Sequence, residues 1–349
     1  MMKYLSILTI LVAACSGSAT KEQAIGLPGR INVVVNPALW DGPIGKYLDS
    51  AFHQEMTVLP RPETMFKIRQ VNPDAVNSSM RRTRNLIFII TLDDKSEQGL
   101  AIKNMVTLAT LNQAAADTSI FISALPDVYA VNQEVVYLFG ADQATVHTKL
   151  KKYGPRLLEH FNKKERLRLE KGLLNAGSTK GLSDQIAKEH GFSIKIPFGY
   201  RMADNQKDFV WLRQINAADD KDVFVAWKKY ESPAQFKRES LIKFRDEICK
   251  RYLFEDPEEQ DTYLLTEQEV SEKAVETREF NWDGKYAVEM KGLWRSNVKT
   301  MGGPFMAFAV VDEKKGLFYY IEGFTYSPSK DQREIMRELE TILFSFKTL

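Results

Sequence analysis

Four alternating apolar runs follow one another closely in the last third of this 349-residue chain. They cover residues 277–282, 285–296, 305–312 and 317–326. Such alternation is typical of strands with one buried face, and short connections between them favour antiparallel pairing. Apolar residues at helical spacing follow over residues 331–346, with Ser329 or Asp331 as the predicted N-cap. The sequence therefore predicts a mostly antiparallel C-terminal sheet with flanking helices.

The chain as a whole is predicted to be α+β, with two mixed domains. Strand patterns come in runs rather than in strict alternation with helices, which indicates α+β rather than a doubly wound parallel sheet. The small polar residues 175–181 predict a boundary between a domain of residues 30–176 and one of residues 182–349. A composition of 44% apolar and 27% charged residues suits soluble domains.

Three local patterns are less regular. Residues 141–175 predict a long charged helix with a break near Gly154-Pro155. Residues 255–261 are acidic and predict a loop. Residues 96–118 are polar and alanine-rich, and they receive no assignment.

Residues 1–15 are predicted to be a lipoprotein signal peptide. Lys3 precedes an apolar run at residues 5–14, which is too short to span a bilayer. The run ends in Val12-Ala13-Ala14-Cys15, which resembles a bacterial lipobox whose cysteine becomes the lipidated first residue of the mature chain. An ordinary signal peptide that happens to contain a cysteine is the alternative. Residues 16–29, rich in serine, threonine and glycine, predict a tether.

Lipidation of Cys15 would anchor the chain to a membrane. We therefore expect it in the cell envelope, at the outer membrane or facing the periplasm. Cys249 is then the remaining one of two cysteines, so no intramolecular disulfide is expected. Cys249 falls on the apolar face of a predicted helix and is interpreted as a buried structural thiol.

Composition and motifs exclude several kinds of site. A net charge of +2 argues against a nucleic-acid partner. The four histidines are scattered without metal-ligand spacing, and no nucleophile or phosphate-loop motif occurs. No catalytic residue, metal site or cofactor is therefore predicted.

Two charged segments have alternative interpretations. Arg81-Arg82-Thr83-Arg84 is either a solvated loop or an anion-binding cluster. Arg245-Asp246 lies within a predicted helix. It is interpreted as part of a salt bridge to a neighbouring strand, with catalysis as the alternative.

The most distinctive stretch is Met290–Phe305. Two glycines permit positive φ and Pro304 fixes the next φ, so a tight turn is predicted at residues 301–304. Tryptophan and arginine are frequent interface anchors and form cation–π pairs. Filling of the core by the tryptophans is the alternative. The predicted binding surface comprises Trp294, Arg295, Met301, Gly302, Gly303 and Phe305, with Trp211 and Arg213 second.

Nine segments follow one another at residues 40–45, 59–63, 84–87, 209–213, 245–246, 292–294, 301–305, 322–324 and 333–340. In this order they resemble the Domain of Unknown Function 4837 family, whose members are bacterial envelope lipoproteins. The resemblance extends over nearly the whole mature chain and implies no activity or catalytic residue. The C-terminal half, opening on Ile194-Lys195-Ile196-Pro197, also resembles the fold of PsbP and Mog1, which are non-enzymatic binding or assembly factors.

These observations favour a lipid-anchored, non-enzymatic binding or assembly module. Its partners would be the membrane, through the lipid, and another envelope protein or a surface polymer. One alternative is an envelope hydrolase that uses carboxylates in an interdomain cleft, and another is a structural lipoprotein without a small-molecule site. Convergent carboxylates in a deep pocket would favour the hydrolase, whereas an open surface rich in aromatic residues and glycine would favour binding.

Overall fold

A computed structural model describes residues 21–174, 180–216, 219–256, 259–269, 274–328 and 330–349. The predicted signal peptide, Cys15 and residues 16–20 of the predicted tether lie outside this part, as do residues 175–179 of the predicted boundary. Among the described residues, no helix combines the length and apolar character needed to cross a membrane.

The N-terminal domain is built on a five-stranded sheet with the order β2-β1-β3-β5-β4. Strands β2, β1, β3 and β5 are parallel, and β4 is antiparallel to β5. Strands β3 and β5 are buried along their whole length, as is typical of central parallel strands covered on both faces. The strands are β1 Arg30–Val34, β2 Lys67–Val71, β3 Asn85–Thr91, β4 Ile122–Pro126 and β5 Glu134–Gly140.

Helices cover both faces of this sheet. Apolar residues of α2 and α6 pack on one face, and those of α4 and α5 pack on the other. The mixed helix and sheet class is confirmed, but the parallel order of this half was not predicted, because its crossover helices α4 and α5 fall in the unassigned residues 96–118. The helices are α1 Pro37–Trp40, α2 Pro43–Phe52, α3 Ser78–Arg81, α4 Glu97–Lys103, α5 Leu108–Ala116 and α6 Gln143–Leu169.

The predicted helix break at Gly154-Pro155 is wrong. Helix α6 runs through Pro155 and is followed by a π-helical turn, Glu170–Leu174. Proline removes one N–H donor, but packing can outweigh that loss. The hydroxyl of Tyr47 lies so close to Gly154 that a Cβ there would be 2.2 Å from it. Packing against α2 therefore supports the continuation of α6 through this point.

The C-terminal domain is built on a nine-stranded antiparallel sheet with the order β10-β11-β13-β14-β15-β9-β8-β7, and β12 also pairs with β13. The predicted antiparallel arrangement is confirmed. The predicted acidic loop at residues 255–261 is wrong over its described part, because residues 255–256 belong to β10 and residues 259–261 to β11, which pairs with it. The nine strands of this sheet are β7 Arg201–Gln206, β8 Phe209–Ile215, β9 Asp220–Lys229, β10 Phe254–Asp256, β11 Glu259–Thr266, β12 Val275–Trp282, β13 Lys285–Ser296, β14 Gly302–Asp312 and β15 Leu317–Tyr326. Two further strands, β6 Phe192–Ser193 and β16 Lys347–Thr348, pair with each other in a separate sheet.

Two helices cover opposite faces of this sheet: α8, Arg238–Tyr252, and α9, Arg333–Phe344. The α8 face includes Phe209, Trp211 and Trp294. The α9 face includes the residues that alternate with these, such as Val210 and Leu212. A further helix, α7, spans Lys180–His190.

The predicted tether is wrong over its described part, residues 21–29. The N–H of Ala24 donates to the carbonyl of Val131 and that of Ile25 to the carbonyl of Arg82, both at 2.9 Å. Glu22 forms an ion pair with Arg82. A polar composition predicts a solvated chain, but it does not prevent backbone pairing with a neighbouring loop. The N-terminal segment is therefore fixed to the domain from Lys21 onward.

Candidate functional site

The turn in the Met290–Phe305 stretch lies earlier than predicted. Gly302 and Gly303 are the first residues of β14, opposite Arg295 and Trp294 of β13. The chain reverses over residues 297–301, where Lys299, not a glycine, has a positive φ of 60°. The predicted turn at residues 301–304 is therefore wrong.

Residue 303 is a glycine because β15 and the Trp294 side chain approach its backbone closely, and not because of its backbone angles. A Cβ at this position would lie 2.1 Å from the carbonyl oxygen of Thr325 and 3.1 Å from Nε1 of Trp294. The indole N–H of Trp294 reaches past the glycine and donates to that carbonyl at 3.2 Å. The side chain of Trp294 is thereby tied to β15, with β14 between them.

Burial removes four residues from the predicted binding surface. Only 3% of Trp294, 1% of Phe305 and 9% of Trp211 is exposed, because all three lie on the face that α8 covers. Gly303 is buried as well. For these four residues the alternative of core packing is the one that the structure shows.

Next to the turn, Gly302 is exposed, whereas Arg295 and Met301 are partly buried. Arg295 forms ion pairs with Glu267 at 3.1 Å and with Glu269 at 3.0 Å. At the end of the turn, 52% of Val298 is exposed. We call residues 295–302 the β13–β14 tip.

Trp211 and Arg213 form the cation–π pair that their spacing suggested. The guanidinium carbon of Arg213 lies 4.9 Å from the centre of the Trp211 ring. Both residues also bind Asp222, a residue that the sequence did not single out. Oδ1 of Asp222 accepts the indole N–H of Trp211 at 3.0 Å and lies 2.8 Å from Nε of Arg213.

Asp222 is almost fully buried, with 2% of the residue exposed. Burial raises the pKa of Asp222 to about 7, against the opposing effect of Arg213. Asp222 is the cross-strand partner of Arg213, a pairing that no local sequence pattern signals. The guanidinium of Arg213 connects this buried carboxylate to the surface, because 29% of its side chain is exposed.

The two predicted groups lie at the same end of the sheet without touching directly. Asp222 is paired across strands with Phe324 of β15. The ring of Phe324 packs edge-on against Trp294, with 5.6 Å between the ring centres. Phe324 therefore lies between the Trp294 group and the Trp211–Arg213–Asp222 group.

A second buried polar group fixes α8 to the same face. Arg245 and Glu322 are fully buried, and Arg245 donates to both carboxylate oxygens of Glu322 over 2.8–3.1 Å. The Arg245 guanidinium also lies 4.0 Å from the centre of the Phe305 ring. The predicted salt bridge from this helix to a strand is confirmed.

Cys249 is fully buried near this group. Burial raises the pKa of its thiol, which keeps it protonated and unreactive at neutral pH. The interpretation of Cys249 as a buried thiol is confirmed.

The seam between the two domains is filled by the start of α9. The carboxylate of Glu63 accepts hydrogen bonds from the backbone N–H groups of Gln332, at 2.6 Å, and Arg333, at 2.9 Å. The side chain of Gln332, the N-cap residue, makes no capping bond of its own. The predicted cap at Asp331 is therefore wrong, and Ser329 lies outside the described residues. Glu63 supplies the cap from the other domain.

Arg337, one turn further along α9, also crosses the seam. Its guanidinium lies 4.7 Å from the centre of the Phe66 ring and donates to the carbonyl of Met65. It also donates to Oδ1 of Asn162 on α6, at 3.3 Å. Helix α9 is thus bound to both domains.

The described residues contain no group of three or more His, Cys, Asp or Glu side chains placed to hold a metal ion. Two open cavities of about 260 Å³ occur elsewhere on the C-terminal domain. Each is lined by a single carboxylate, Asp283 in one and Glu247 in the other. Neither cavity shows the paired carboxylates that the hydrolase alternative requires.

The two halves of the chain match different family models. Residues 179–345 match the family model of Domain of unknown function (DUF4837). The predicted resemblance is thus confirmed over the C-terminal half. Residues 24–173 match a second model, Domain of unknown function (DUF8532). The DUF4837 match therefore covers less of this chain than the predicted resemblance, which extended over nearly the whole mature chain. No curated protein matches the chain.

Solved structures with some likeness include the Ran-binding protein Mog1p of Saccharomyces cerevisiae, with a TM-score of 0.29 and 7% identity over 45% of this chain and 90% of that chain. A mutant of the protein Mog1 gives a TM-score of 0.28 with the same identity and coverage. A protein from Bacteroides thetaiotaomicron gives a TM-score of 0.19 and 11% identity over 46% of each chain. We draw no function from TM-scores this low.

Proposed function

We propose that this protein is a lipid-anchored binding or assembly module of the cell envelope, without a catalytic centre. Its partner is another envelope protein or a surface polymer, and Cys15 carries the lipid. The anchor is proposed from Val12-Ala13-Ala14-Cys15 and the short apolar run before it. The choice of binding over hydrolysis rests on one structural observation, the seam that α9 fills.

The carboxylates at the seam are engaged by the protein itself. Both oxygens of Glu63 accept N–H groups of α9. Glu165 is bound by Arg84 at 2.9 Å and Arg168 at 2.8 Å. A general base must reach a proton of its substrate, and these groups already have partners. This arrangement supports a rigid two-domain body over an interdomain hydrolase.

The β13–β14 tip is the part of the predicted surface that a partner can contact. Its backbone is fixed, since Oγ of Ser296 accepts the N–H groups of Thr300 at 3.0 Å and Met301 at 3.3 Å. The N–H of Asn297 donates to the carbonyl of Tyr263 at 2.9 Å. A half-exposed Val298 on a fixed turn offers an apolar contact at low ordering cost.

Site-specific photo-crosslinking in the native envelope tests this function. A photoreactive residue at position 298 should give a discrete adduct with a protein or polymer. The matched control is position 314, an exposed lysine in the turn at the opposite end of β14. Equal adducts at both positions, or none at position 298, would contradict binding through the tip.

The anchor is tested separately with Cys15→Ala, which should move the protein from the membrane fraction to the soluble fraction. Continued sedimentation of this variant with membranes in high salt, which screens contacts between basic residues and headgroups, would contradict the lipid anchor without bearing on the tip.

A further inference from the structure

We infer that one particular face of the N-terminal domain lies against the membrane and contacts anionic lipid headgroups. This face, the attachment surface, is defined by Lys21, Arg81, Arg82, Asn132 and Lys171. The inference rests on the lipid anchor of the proposed function. It adds which side of the molecule faces the bilayer and which lipid chemistry that side recognises.

Chain length limits how far this face can be from the lipid. Lys21 follows Cys15 by six residues. A polypeptide spans at most about 3.6 Å per residue, so Lys21 lies within about 22 Å of the lipidated cysteine in any conformation. The acyl chains of that cysteine are buried in the bilayer, which places Cys15 at the headgroups.

The first described residues cannot move freely relative to the domain. Nζ of Lys21 donates to the carbonyl of Asp127 at 2.6 Å. The N–H of Val131 donates to the carbonyl of Glu22, and that of Ala24 donates back to the carbonyl of Val131, both at 2.9 Å. The short connection from the lipid therefore ends at a fixed point on the domain surface, and this point determines which side faces the membrane.

The charges around this point suit anionic headgroups. Lys21 and Lys171 are exposed, and Nζ of Lys171 lies 3.3 Å from Oδ1 of Asn132. Arg81 lies over the Tyr129 ring at 5.7 Å, and Arg82 is held by Glu22. Basic residues beside a bilayer are attracted to anionic lipids over about one Debye length.

The basic cluster of residues 81–84 is thereby divided between two roles. Arg84 turns inward to Glu165, at 2.9 Å. Arg81 and Arg82 remain at the surface beside Ile25, whose N–H donates to the carbonyl of Arg82 and which is 38% exposed. Anion binding, one of the alternatives for this cluster, is accordingly assigned to its first two arginines.

The opposite end of the domain provides a reference point. Residues 81–84 precede β3, whereas the exposed Lys95 follows it. A seven-residue strand is about 23 Å long, so a label at position 95 lies well beyond the headgroup layer if the attachment surface is in contact with it.

Depth-dependent quenching tests the orientation. Lys171→Cys and Lys95→Cys are made separately in the lipidated full chain and labelled with a fluorophore, which the fully buried Cys249 does not take up. The protein is reconstituted into vesicles of phosphatidylcholine and phosphatidylglycerol that contain a headgroup spin-labelled lipid. We expect several-fold stronger quenching at position 171 than at position 95.

The outcomes separate the two proposals. If mass spectrometry confirms the lipid on Cys15, equal quenching at the two positions, or stronger quenching at position 95, overturns the orientation. Absence of that lipid overturns the anchor, and the orientation with it.

Charge reversal tests the headgroup contact. In the unlipidated Cys15→Ala chain, Lys21→Glu with Lys171→Glu should weaken binding to the same vesicles by about tenfold or more. The matched control is Lys46→Glu with Lys95→Glu, two exposed lysines outside the attachment surface. Equal binding of the two double variants, or equal binding to vesicles without phosphatidylglycerol, would overturn recognition of anionic headgroups.

Discussion

Glu63 caps the helix that begins at Arg333, although 270 residues separate them and they belong to different domains. Its two carboxylate oxygens take up two N–H groups that have no partner within the helix. Its negative charge also lies at the positive end of the helix dipole. One side chain therefore satisfies the end of α9 and joins the two domains.

Removal of this cap should destabilise the whole protein. Glu63→Ala is expected to lower the free energy of unfolding in urea by about 1–2 kcal/mol, the usual range for an N-cap with a favourable charge. Glu63→Gln should lower the free energy of unfolding by less than Glu63→Ala does, because its amide oxygen still accepts one N–H group. The control is Glu159→Gln, an exposed carboxylate on α6. A loss as large in the control would show that the cap is not the cause.

A methyl group at position 303 should move β14 and β15 apart, because the two strands are in close contact there. Gly303→Ala places its Cβ against the Thr325 carbonyl, and we expect a loss of about 1–3 kcal/mol in the free energy of unfolding, as for other overpacked sites. Tryptophan fluorescence should report the displacement of Trp294. Gly181→Ala, with nothing within 4 Å of its Cβ, should be neutral or stabilising by up to about 1 kcal/mol. Unchanged stability of Gly303→Ala would contradict the close approach.

Loss of one partner of the buried ion pair should cost more than loss of both charges. Arg245→Met leaves the Glu322 carboxylate buried without its cation, and we expect it to lower the free energy of unfolding by about 3–5 kcal/mol. Adding Glu322→Gln to this variant removes the second charge and should recover part of that loss. A double-mutant cycle in urea measures the coupling. Additive losses would mean that the two side chains do not depend on each other.

Asp222 should make stability depend on pH. Its pKa in the folded protein, about 7, is above the usual value of about 4 in an unfolded chain, so the folded state binds this proton more tightly. Its contribution is therefore complete below about pH 4 and is lost as the pH rises through about 7. Asp222→Asn should remove this part of the decline, whereas Asp184→Asn, at an exposed position on α7, should leave it. Parallel pH profiles of the wild type and Asp222→Asn would refute the assignment.

Local patterns predicted the parts of the fold that local physics determines. Alternation identified β13 and β15, and helical spacing placed Cys249 in the interior. The turn beside Gly302 was misplaced, because glycine permits both a positive φ and a close approach, and sequence alone does not say which is used. The burial of Trp294 likewise depends on which face α8 covers.

Long-range partners could not be read from the chain. Glu63 stands in a proline-rich segment that gives no sign of the helix it caps. Asp222 gained its role from a cross-strand register with Arg213, and the connection between their strands, Asn216-Ala217-Ala218-Asp219, contains no Gly or Pro that would specify this register. The parallel order of the N-terminal strands requires crossover helices. Two of these, α4 and α5, lie in residues 96–118, whose apolar residues show no clear helical periodicity, so the parallel order could not be predicted.

The contacts of α9 with both domains also determine how the molecule would respond to a pulling force. In the proposed arrangement the lipid holds the first domain and a partner holds the second. Tension between them would then load the contacts of Glu63 and Arg337 in parallel with the covalent link at residues 175–179. Although the two halves match separate family models, they would then respond to the load as one unit rather than as two domains that move independently.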